Sequence, residues 1–93
     1  MTKTLHSPEA NRLRQLLVEA RERSGLTQAQ VATELRRPQS FVSKYENGER
    51  RLDVTEFLAV CAILEAKAEV IIATLQTTPA RRRAPAQPRR RQV

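Results

Sequence analysis

Residues 26–48, LTQAQVATELRRPQSFVSKYENG, hold two short helical patterns with almost nothing between them. Thr27 and Gln30 have the T-x-x-Q spacing of a capping box, in which each side chain satisfies a free N–H group at a helix start. Val31, Ala32 and Leu35 then form one apolar stripe. Pro38 ends this helix by about Leu35 or Arg36, because proline removes a hydrogen bond inside a helix and pushes Arg37 toward extended geometry. The next helix begins at Pro38 or Gln39, buries Val42, Tyr45 and at least part of Phe41, and stops at Asn47-Gly48, a pair suited to a left-handed cap. Its other face carries Gln39, Ser40, Ser43 and Lys44, a polar row one turn apart.

The flanking sequence completes an all-α, five-helix reading. Ser7-Pro8 starts helix one, since serine caps free N–H groups and proline is tolerated in a first turn. Leu13, Leu16, Leu17 and Ala20 recur at helical spacing, with Arg12, Arg14, Glu19, Arg21, Glu22 and Arg23 assigned to the outer face, and Gly25 ends the helix. Helix four starts without a cap at Asp53, and Val54, Phe57, Leu58, Cys61 and Leu64 give it a strongly apolar helical spacing, with Cys61 on the apolar face beside Phe57 and Leu64. A short fifth helix with Val70, Ile71, Ile72 and Leu75 follows a turn at Glu65 to Glu69. No strand pattern and no internal repeat are seen. Residues 1–7 read as a flexible N-terminus and 8–76 as the folded domain; 77–93, TTPARRRAPAQPRRRQV, read as a disordered basic tail with almost nothing to bury.

Composition narrows the function. A chain of 93 residues makes one small domain, too small for an elaborate catalytic cleft. Without a Ser-His or Cys-His arrangement or a glycine-rich phosphate loop, no reaction class can be assigned, so no enzyme, cofactor or metal site is expected. The one cysteine, Cys61, reads as a buried small hydrophobe, and with only one histidine there is no zinc ligand cluster. No signal peptide or membrane span is visible, and a cytoplasmic protein is expected. The formal charge is +7, but six of the 17 basic residues lie in the tail, leaving eleven against ten acids in residues 1–76. Binding to DNA through the folded part then requires an uneven charge distribution, and Arg36, Arg37, Lys44, Arg50 and Arg51 are opposed only by Glu46 and Glu49 in the same segment.

Two helices so close in sequence cross steeply, and the first braces the second while one face of the second projects outward. An exposed helix fits the major groove of B-DNA. Glutamine can pair bidentately with adenine, serine is a short donor and acceptor, and lysine reaches guanine or a phosphate. The polar row has duller readings as a solvated face, and Arg50 and Arg51 could simply pair with Glu46, Glu49 or Asp53.

On GLTQAQVATEL, PQSFVSKYENGER and the apolar helix that follows, the sequence resembles the lambda-repressor-like, Cro-type helix-turn-helix family, also called the XRE family, over about residues 10–75. The resemblance implies base contacts from Gln39, Ser40, Ser43 and Lys44. It implies backbone contacts from Thr27, Gln28, Arg37, Asn47 and Arg50, with Gln28 also bracing Gln39. The family usually has glycine in the turn after helix two; here Arg36 stands there, at a cost of roughly 1 kcal/mol for a left-handed backbone.

Such domains read operators as two-fold dimers, and Val70, Ile71, Ile72 and Leu75 are the expected dimer contact. The expected function is a sequence-specific transcriptional regulator, a dimeric repressor of an operator in double-stranded DNA. No effector domain is visible, so control would come from concentration, degradation or a partner. The alternatives are an antitoxin or adaptor that binds a protein partner and autoregulates its operon, or a restriction-modification controller protein. A further alternative is nonspecific coating of nucleic acid through the arginine tail.

Overall fold

The computed structural model describes residues 7–78. The N-terminal segment before Ser7 and the basic tail from residue 79 onward, both singled out above, lie outside the described residues. Five helices follow one another: α1 (Pro8–Ser24), α2 (Gln28–Leu35), α3 (Gln39–Glu46), α4 (Val54–Leu64) and α5 (Ala68–Gln76). Among the described residues no helix is long and apolar enough to cross a membrane, and no group of His, Cys, Asp or Glu could hold a metal ion.

Local chemistry sets the boundaries. The Ser7 hydroxyl accepts from the Ala10 N–H, and Thr27 and Gln30 form the expected reciprocal capping box. The start of α4 is capped, contrary to the sequence reading: Asp53 accepts from the Glu56 N–H at 2.8 Å, and the Glu56 side chain accepts from the Asp53 N–H at 2.9 Å. The D-x-x-E spacing was there to be read, but aspartate replaces the serine or threonine usual in that pattern.

Four helices close in the same way. A residue in the left-handed region follows the helix, and the next N–H donates back five residues: Leu26 to Arg21, Arg37 to Ala32, Glu49 to Lys44 and Ala66 to Cys61. Glycine supplies the conformation at Gly25 and Gly48, whereas Arg36 (φ 61°) and Glu65 (φ 58°) adopt it with a side chain, at roughly 1 kcal/mol or more each. Arg36 thus takes the backbone that glycine usually provides in this turn. At the end of α3 it is Gly48, not Asn47, that turns left-handed.

One core holds the helices together. Leu17, Val31, Val42 and Val60 are its fully buried side chains, each stabilising by about 1.5–3 kcal/mol through removal from water. Ala20, Ala32, Phe41, Tyr45, Phe57, Cys61, Leu64 and Ile71 complete it. In α4 and α5 the apolar spacing does not single out the buried face. Val54 and Leu58 are exposed (72% and 49%), and Val60 takes the core position between Phe57 and Leu64. Ile71, one of the residues expected at a dimer contact, is buried in the core of this chain; Leu75 packs against the same core and is half-buried. An unbroken apolar run such as Val70–Ile72 has no polar residue to mark which side faces inward, and packing against α1 and α4 chose Ile71.

Candidate nucleic-acid interface

α2 and α3 make the most extensive helix pairing in the fold, joined by the three residues Arg36, Arg37 and Pro38. Burial of Phe41, Val42 and Tyr45 fixes the rotation of α3 about its axis. That rotation leaves Gln39, Ser40 and Lys44 exposed and Ser43 half-buried on the opposite side, so the four polar residues form one accessible face.

The N-terminal end of this face is held by side chains. Gln39 Nε2 donates to Gln28 Oε1 at 3.4 Å, the brace expected from the sequence. The chain of contacts continues inward: Gln28 Nε2 donates to Glu46 Oε1 at 2.8 Å, and Arg21 grips the same carboxylate with two bonds, Nε to Oε2 at 2.7 Å and Nη2 to Oε1 at 3.2 Å. Arg21 Nη1 also donates to the Leu26 carbonyl at 2.9 Å. A network thus ties α1, the α1–α2 turn, α2 and both ends of α3 together. The Arg21 and Glu46 side chains are 16% and 6% exposed, and the bond to Glu46 raises the arginine's affinity for its proton. Tyr45, beside them in the core, is pushed up mainly by burial.

The Arg21 and Glu46 part of this network is not legible in the sequence. Periodicity assigns Arg21 to the outer face of helix one, yet it stands one turn after Leu17, at the edge of the buried stripe, where a long side chain can reach across the core boundary.

A second cluster flanks the other side of α3. Arg37, just before the helix, and Arg50, just after it, bring their guanidinium carbons to 4.4 Å and 4.6 Å from the centre of the Phe41 ring. Both reach Glu56: Arg37 at 3.1 Å, and Arg50 through two bonds of 3.0 Å. Arg50 therefore pairs with Glu56 rather than with Glu46, Glu49 or Asp53. The Arg37 and Arg50 side chains remain 41% and 38% exposed, while the Glu56 side chain is 13% exposed. The Arg50 bonds hold the Glu56 carboxyl down at about 2, helped by the backbone N–H of Asp53.

Of the other candidates, Thr27 is exposed and its hydroxyl caps α2; Asn47 is exposed at the end of α3. Val70 and Ile72 are exposed on α5 at 56% and 45%.

Comparison with known proteins accords with this geometry. The helix-turn-helix domain family matches residues 12–75. A solved XRE-family like protein from Pseudomonas syringae pv. tomato str. DC3000 is 47% identical, superposes with a TM-score of 0.73, and matches over 81% of this chain and 92% of its own. The fold is also that of the clp gene regulator ClgR from C. glutamicum (20% identity, TM-score 0.68, covering 78% of this chain and 95% of that one). It is shared too with the restriction-modification controller protein C.Esp1396I, solved as a tetramer with its natural 35 base-pair operator (19% identity, TM-score 0.67, covering 78% and 96%). No curated protein matches the chain. With its braced two-helix unit, its matched domain and its 47% identical relative, the chain belongs to the XRE-like helix-turn-helix family of DNA-binding transcriptional regulators.

Proposed function

We propose that the protein is a sequence-specific repressor that occupies an operator as a dimer, with α3 in the major groove. The observation that carries this reading is the accessible row Gln39, Ser40, Ser43 and Lys44 on a helix whose opposite face is locked into the core. Gln39 and Lys44 have the reach and chemistry for base edges, and the two serines sit close enough to the helix axis to let the backbone approach the groove. Thr27, Gln28, Asn47, Arg37 and Arg50 ring this face and are assigned to the DNA backbone; the exposed edges of the two guanidiniums over Phe41 suit phosphate oxygens. Such contacts fix register without reading sequence.

Dimerisation is assigned to Val70 and Ile72 on α5, with Leu75 at the edge of the contact. A monomer reading about six base pairs would discriminate poorly against the many competing genomic sites, which is the physical reason for pairing two half-sites. The domain is assigned to residues 8–76, and the arginines beyond it add charge that any DNA would attract.

The test is selection of duplexes from a random pool at physiological salt, with the full chain, a Gln39→Ala, Ser43→Ala double variant and a chain ending at Thr77. The reading predicts a palindromic site enriched by the full and the shortened chains and relaxed in the double variant. Retention of DNA by the full chain alone, with no enriched site, would overturn it in favour of coating through the tail.

A further inference from the structure

The Arg21–Glu46–Gln28–Gln39 chain determines more than the position of Gln39. A carboxylate can only accept hydrogen bonds, so the edge of the Gln28 amide facing Glu46 must be its NH2 group, as the 2.8 Å contact from Gln28 Nε2 requires. The opposite edge is then the carbonyl, and it meets Gln39 Nε2 at 3.4 Å. Gln39 spends one N–H on this contact. Its second N–H and its Oε1 remain for DNA, in a fixed order along the amide edge. One donor beside one acceptor matches adenine, which offers an acceptor at N7 beside a donor at N6; guanine offers two acceptors, N7 and O6.

We propose that Glu46 is a specificity-determining positioning residue: acting through Gln28, it fixes which way round the Gln39 amide faces the groove and so makes Gln39 an adenine reader. The proposal rests on the assignment of α3 as the base-reading helix. Glu46 itself faces inward and touches no base. Arg21 is part of the device because its short bond to Glu46 Oε2 holds the carboxylate in place, leaving Oε1 directed at Gln28.

Glu46→Gln exposes the logic. Arg21 demands the oxygen of the new amide, so its NH2 group turns toward Gln28. Gln28 must then present its carbonyl to residue 46 and its NH2 group to Gln39, and the Gln39 amide turns over in response. Donor and acceptor exchange places along the base edge: an amino group now opposes the N6 amino group of adenine and the carbonyl opposes N7, so the bidentate pairing is lost, while guanine, with acceptors at both N7 and O6, is not matched either.

The experiment is duplex selection followed by competition binding, with wild type, Gln39→Ala, Glu46→Gln and Gln28→Ala compared and the fold of each checked by circular dichroism and thermal unfolding. The Gln39→Ala variant locates the base pair read by that residue. There, wild type should prefer adenine, Glu46→Gln should lose that preference, and the remaining positions of the site should be unchanged. A loss of preference of the order of tenfold to a hundredfold is expected from one bidentate contact. Gln28→Ala, which frees the Gln39 amide to adopt both orientations, should narrow the adenine preference at the same base pair, and serves if Glu46→Gln fails to fold.

Unchanged adenine preference in the folded variants would overturn the proposal, as would a weakening of Glu46→Gln equal at all positions, or a wild-type preference for another base at the Gln39 position. A Gln39→Ala variant that leaves the entire site unaltered would remove the assignment of α3 as well, which distinguishes the two failures.

Discussion

The two sides of α3 carry the same chemistry in different surroundings. On one side Arg21 and Glu46 meet largely out of water; on the other Arg37 and Arg50 meet Glu56 with their guanidiniums in solvent. In the inner cluster both carboxylate oxygens of Glu46 are engaged, by Arg21 and Gln28 together. The outer cluster has two cations for one carboxylate and an exposed edge. Burial suits the first to holding a geometry, and exposure suits the second to meeting a phosphate. The difference follows from where each arginine leaves the backbone: Arg21 at the rim of the buried stripe of α1, Arg37 and Arg50 in the loops flanking α3.

This contrast can be broken first by stability. Glu46→Ala leaves Arg21 largely desolvated without its counter-charge, and unfolding in urea should show a loss of about 3 kcal/mol. Glu56→Gln leaves its arginines in water, and should destabilise clearly less than Glu46→Ala, by an amount that shrinks further as salt is raised. Equal losses would mean that exposure does not separate the clusters.

Acid sharpens the comparison. The Glu56 carboxyl titrates at about 2 in the folded chain, below its ordinary 4.5, so the folded state binds fewer protons than the unfolded one between those values. Its contribution is complete above about pH 5 and is lost as the pH falls toward 2. The gap in Tm between wild type and Glu56→Gln should therefore be constant above pH 5 and close on acidification. The smallest effect on the fold is expected away from both clusters. Val70→Ser with Ile72→Ser changes exposed side chains and should shift monomer stability by only about 0.5 kcal/mol, while sedimentation should reveal loss of self-association.

Much of this architecture could be read from the sequence because its signals are local. Ser7-Pro8, the Thr27 and Gln30 box, Gly25 and Pro38 each act within one turn, and they placed the ends of α1 and α2 and the start of α3. The polar row of α3 was legible for the same reason: Phe41, Val42 and Tyr45 mark the buried side unambiguously. The brace between Gln28 and Gln39 was legible through family resemblance rather than spacing. What the sequence left hidden depends on distance or on ambiguity. Glu46 finds Arg21 across 25 residues, and Arg50 finds Glu56 rather than nearer acids, because the fold decides which charges meet. In α4 nearly every position is apolar, so periodicity alone could not rank Val60 above Val54 and Leu58.

The central claim is that α3 reads bases while the outer arginines only hold the backbone. Its most direct test measures affinity for the selected site and for a scrambled duplex over a series of salt concentrations, comparing wild type with Gln39→Ala and Arg50→Ala. The account predicts that Gln39→Ala lowers the ratio of specific to nonspecific affinity by a factor corresponding to about 1–3 kcal/mol and leaves the salt dependence unchanged. Arg50→Ala should weaken both duplexes alike and reduce the salt slope by about 1. Unchanged specificity in Gln39→Ala, or a loss confined to the specific site in Arg50→Ala, would contradict it.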